Sequence, residues 1–175
     1  MTKVTKDSRL SERVNALSPI ARTLWASTCA EHVLTFCEGA NAFDTRPREA
    51  IKAARQWAMN PTPANRHAAN IASSAAYDAS LTYRYTPAYY AASAACFAAD
   101  IDTYDSTAAD LVTSYAASAE ADAVASMIAI DHVASSRSAS DETCFTAAYD
   151  TAFPVAYKCA RRWQFSRLAE MEAVQ

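Results

Sequence analysis

Alanine fills about a quarter of this chain, 42 of 175 positions, while glycine fills one, Gly39. Alanine is the best helix former because it loses no side-chain entropy on folding, so this content drives most of the sequence toward helix. The single glycine excludes the loops that cradle phosphate through close backbone approach. No GxGxxG, GxxxxGK or GxSxG occurs anywhere in the chain. A chain of this length fits one domain and buries roughly 70% of its unfolded surface. We therefore expect an all-α, single-domain bundle with alanine-rich close packing. Residues 1–17 are read as a polar arm or short helix, and 18–175 as the bundle.

Helix starts share one device, a hydroxyl residue followed by proline, at Ser18-Pro19, Thr62-Pro63 and Thr86-Pro87. The hydroxyl caps an orphan N–H, and proline tolerates the first turn because it has no N–H to satisfy. Asp44-Thr45-Arg46-Pro47 is a looser version. Thr107 with Asp110, and Ser138 with Asp141, match capping boxes. Apolar spacing of three and four then predicts six helices, about 18–38, 46–59, 63–82, 87–100, 107–135 and 140–168. The first aligns Trp25, Cys29, Val33 and Phe36, with Gly39 read as its left-handed cap. Ile71 and Leu81 are read as the buried bulk of the third. A stripe from Val112 through Ala116, Ala119, Ala123 and Met127 is read as the buried face of the fifth. Pro154 predicts a kink in the last.

Residues 1–60 carry nine Lys/Arg against six Asp/Glu, whereas residues 100–150 carry ten acids against Arg137 alone, a net of −9. That bias repels nucleic acid and attracts a protein target with a basic surface; the alternative is a solvated face. No direct nucleic-acid binding is expected. No apolar run reaches 18 residues and the N-terminus lacks a signal-peptide core, so a soluble, cytoplasmic protein that avoids membranes is expected. Five dispersed cysteines without a CxxC pair read as buried, reduced hydrophobes.

Cys29 and His32 share a helical face but lack a second ligand pair. His67 and His132 stand apart, so we assign no metal, cofactor or catalytic residue. Asp100, Asp102 and Asp105 resemble a calcium loop only faintly, lacking its central glycine. The richest stretch is LTYRYTPAYY, where Tyr83, Tyr85, Tyr89 and Tyr90 surround Arg84 across a helix–helix turn. Tyrosine and arginine bury large areas while keeping a polar handle, as interface hot spots require. With Asp100, Asp102, Tyr104 and Asp105 one helix on, they form the candidate partner-binding surface. The competing reading divides the tyrosines between core and bundle edge.

Residues 25–57, WASTCAEHVLTFCEGANAFDTRPREAIKAARQW, resemble the all-helical bacterial immunity proteins called immunity-five-like. The matching positions are Trp25, Cys29, Glu31, Asp44, Arg46, Pro47, Arg55 and Trp57, read as structural. The resemblance implies a non-enzymatic protein that binds and neutralises another, such as a toxin. Alternatives are a phage- or plasmid-encoded anti-defence inhibitor of the anti-CRISPR kind, a metal-dependent helical-bundle enzyme, and a structural adaptor or homodimer.

Overall fold

The computed structural model describes residues 6–84, 86–100, 106–135 and 141–173. All regular structure among them is helical, in eight helices. They are α1 (Lys6–Ala16), α2 (Pro19–His32), α3 (Leu34–Ala40), α4 (Arg46–Met59), α5 (Pro63–Thr82), α6 (Pro87–Ala99), α7 (Ser106–Ser135) and α8 (Asp141–Glu172).

The hydroxyl-proline starts explain several boundaries. Ser18 Oγ accepts a hydrogen bond from Ala21 N at 3.3 Å, and Thr62 Oγ1 accepts one from Asn65 N at 3.2 Å. Thr86 departs from the pattern: its hydroxyl turns back and donates to Tyr83 O at 2.6 Å, fixing the α5–α6 turn instead of capping α6. At α4 the loop residue Asp44 replaces Thr45 as the cap, its Oδ1 accepting from Arg46 N at 3.2 Å. The proposed boxes at Thr107–Asp110 and Ser138–Asp141 lie outside the residues whose side chains are described.

Eight helices instead of six have two causes. Residues 6–16 form a helix whose Leu10 and Val14 are fully buried. The expected first helix also divides at Val33, whose φ of −104° and ψ of 3° interrupt the α pattern. Tight three-residue hydrogen bonds from Val33 N to Ala30 O and from Phe36 N to Val33 O mark the break. It turns α3 so that Cys37 Sγ meets Ala88 O of α6 at 3.5 Å. Gly39 accordingly does not end a helix. It lies inside α3 with φ outside the left-handed region, and a Cβ added there would meet nothing within 4 Å.

The central element is α6, which packs against α2, α3, α4, α5 and α7. Seven of its thirteen residues are buried alanines, and Ala91, Ala92, Ala94 and Ala95 are fully enclosed. Methyl-only surfaces let helix axes approach to ~8 Å, the short end of the usual range. That closeness excludes bulk. Ile71 and Leu81, expected inside, are 58% and 38% exposed, and α5 instead buries Ala69, Ser73, Ala76 and Ala79. On α7 the expected stripe holds through Val112, Ala116 and Ala119 and then shifts to Ala121, Ala125 and Ala129, leaving Met127 71% exposed.

The 32-residue α8 passes through Pro154 without ending. Pro154 is on an exposed face, where the carbonyl it leaves without a donor can meet solvent. No helix among the described residues is long and apolar enough to cross a membrane.

Two substitutions test this packing by urea denaturation. Gly39→Ala should raise stability by about 0.5 kcal/mol, because a helical glycine is replaced where space is open. Ala94→Leu should lower it by about 1–3 kcal/mol through overpacking.

Candidate functional site

The tyrosine-rich turn divides into an inner tie and an outer patch. Tyr83 faces inward at 8% exposure, and its hydroxyl donates to Asp44 Oδ2 at 2.7 Å. Asp44 also receives the forked guanidinium of Arg46, at 2.8 Å from Nε and 2.7 Å from Nη2. The Arg46 hydrogen bond, reinforced by that of Tyr83, pulls the Asp44 carboxyl down to about 2. Burial, followed by the bond to Asp44, pushes the Tyr83 phenol up to about 12. One carboxylate thus pins the α3–α4 loop to the end of α5.

The outer patch consists of Tyr77 and Leu81 from α5, exposed Arg84 from the turn, and Tyr89 and Tyr90 from α6. Together they line an open cavity of about 370 Å³. Tyr77 is 54% exposed. Tyr89 and Tyr90 meet edge to face at 5.2 Å, and Tyr115 of α7 approaches both before stacking on Phe97 at 5.5 Å. This aromatic wall holds the half-buried tyrosines in place. Burial raises the Tyr90 phenol, and burial followed by Tyr89 raises that of Tyr115.

Of the sequence candidates, Arg84, Tyr89 and Tyr90 come together, while Tyr83 is turned away from them. Asp100 is the half-buried C-cap of α6. Tyr85, Asp102, Tyr104 and Asp105 lie outside the described residues. Sequence reasoning missed Tyr77, Leu81 and Tyr115. The first two stand four residues apart, one helical turn before the tyrosine run, and this spacing was the available signal.

The histidines occupy separate environments. His32 stacks on Trp163 at 3.8 Å and 14°, with Nε2 3.3 Å from Glu120 Oε2. Its helical neighbour Cys29 is fully buried, and desolvation pushes its thiol far up, away from the thiolate a metal would need. His67 is exposed, and the side chain of His132 lies outside the described residues. Among the described residues no three His, Cys, Asp or Glu side chains are grouped to hold a metal ion. Cys37 and Cys96 are buried as expected, but Cys159 is exposed because it faces a groove between α7 and α8.

The remaining motif residues tie α2 to α4. Glu31 receives Arg55 through two bonds of 2.8 and 2.6 Å, and the Arg55 hydrogen bond lowers the Glu31 carboxyl. Trp25 is the largest fully buried side chain, and Pro47 is buried in the first turn of α4. Trp57 lines a shallow cavity with Pro19, Pro61 and Pro63.

These ties lie within a segment that is recognisable by itself. The sequence profile of the Imm-5 like putative immunity protein family matches residues 20–110, spanning α2 to α6 and the start of α7. The match covers just over half of the chain, which belongs to that family. No curated protein and no solved structure matches it.

The inner tie makes two predictions. Tyr83→Phe should cost about 1.5–3 kcal/mol in denaturation, the worth of one hydrogen bond to a charged carboxylate. Asp44 has a folded pKa below its unfolded value, so its stabilisation is complete above 3.8 and is lost as pH falls toward about 2. Asp44→Asn should therefore flatten stability across that acid window, removing about 2 kcal/mol of pH dependence.

Proposed function

We propose that the protein is an immunity-type inhibitor, which binds another protein and neutralises it without catalysis. The observation that carries this reading is the Tyr77–Leu81–Arg84–Tyr89–Tyr90 patch within the segment matched by the immunity family. Its chemistry is that of an interface hot spot. Aromatic rings braced by Tyr115 lose little conformational freedom on binding, and Arg84 supplies directional donors.

The target is a toxin with a basic surface. The −9 bias of residues 100–150 steers such a partner toward the chain, although Glu120 and Asp122 also have internal roles with His32 and Tyr149. The patch supplies affinity once the partner arrives. Long-range attraction is screened beyond ~8 Å at physiological salt, so the acidic segment governs the rate of encounter more than the lifetime of the complex.

The test is co-expression with a toxin encoded beside this protein, scored by growth and by calorimetry on the purified pair. Wild type should restore growth. The triple variant Tyr77→Ala, Arg84→Ala, Tyr89→Ala should weaken binding at least about a hundredfold, as two or more hot-spot losses require. Tyr83→Phe should bind as wild type. Failure of wild type to protect overturns the immunity reading, and full protection by the triple variant removes the patch from it.

A further inference from the structure

The most exposed large apolar side chain among the described residues is not on a helix. Phe43, at 94% exposure, stands in the loop between α3 and α4. A helix fixes which way each of its residues faces, as with Ile71 on α5, whereas a loop is free to fold an apolar ring back onto the surface and remove it from water. Here the backbone around the ring is tied. Phe43 N donates to Asn41 Oδ1 at 3.1 Å and Asp44 N donates to Asn41 O at 3.1 Å, a turn closed by the asparagine side chain. Asp44, the next residue, is held by the forked guanidinium of Arg46. The loop thus presents the ring outward before any partner arrives.

We propose that Phe43 is a second anchor for the target protein, entering an apolar pocket on it while the tyrosine–arginine patch grips the adjoining surface. The inference rests on the immunity reading and deepens it by giving the partner two points of attachment. Unlike the patch tyrosines, this ring carries no hydroxyl, so the pocket that takes it has to be apolar; a polar lining would lose water without gaining a hydrogen bond. Because the turn already holds the ring out, little loop entropy is left to lose on binding.

The two points fall within one footprint. Phe43 precedes Asp44, Arg84 follows Tyr83, and the side chains of Asp44 and Tyr83 are joined at 2.7 Å. Two extended side chains, that bond and one backbone step at each end keep the Cα atoms of Phe43 and Arg84 within roughly 20 Å of each other. A standard interface covers ~800 Å² per partner, which is about 30 Å across. Both points also flank the same end of α5. Asp78, exposed next to Tyr77, lies close enough to act on Arg46, whose fork holds the loop. Its carboxylate suits the basic surface inferred for the partner.

Calorimetry of the purified variants with the toxin encoded beside this protein tests the proposal. Phe43→Ala should weaken binding about ten- to a hundredfold, the fold-change expected from burying one such ring. Its urea denaturation should match wild type, since the ring touches almost nothing in the free fold. Phe43→Leu should recover most of the lost affinity and Phe43→Asn none of it. Asn41→Ala, which keeps the ring but opens its turn, should weaken binding to a lesser degree. A wild type that binds the toxin while Phe43→Ala binds equally well overturns this inference and leaves the immunity reading standing. Recovery by Phe43→Asn equal to that by Phe43→Leu also overturns it, because the pocket would then not be apolar. A wild type that does not bind the toxin overturns both.

Discussion

Methyl-to-methyl contact along α6 is the constraint from which the rest of the structure follows. A helix with Ala91, Ala92, Ala94 and Ala95 fully enclosed can have five neighbours only because none needs space for a branched side chain. Each alanine contributes little apolar area, so stability comes from the number of close contacts rather than from the size of any one. Larger apolar residues are consequently displaced. Ile71, Leu81 and Met127 go outward, and the bulky core members Leu10, Val14, Trp25 and Leu168 sit on α1, α2 and α8 rather than on α6.

A core of this kind leaves specification of loops and turns to polar ties. Alanine stripes can slide, since one methyl resembles the next, and a register needs directional bonds to fix it. Asp44 supplies one by joining Arg46 and Tyr83 across the α3–α4 loop, and Glu31 with Arg55 supplies another between α2 and α4. Gln164 does the same for α7 and α8, donating to Thr113 O at 2.8 Å while accepting from the buried Arg161. These directional bonds hold the scaffold beside the exposed aromatic patch.

Helix content and most boundaries were legible in the sequence because they are written locally. Proline after Thr62 and within Arg46-Pro47 places the starts of α5 and α4, and Asn60-Pro61 closes α4. Tertiary choices were not. The break at Val33 involves no glycine or proline and follows from docking α3 on α6, so no local signal announces it. Gly39 suggested a cap on composition, yet a residue permitted in the left-handed region is not obliged to enter it. Ile71 and Leu81 misled because large apolar residues usually fill cores, and here alanine had already done so. Among the tyrosines, spacing cannot tell which one turns inward. Asp44, 39 residues away, decides that it is Tyr83.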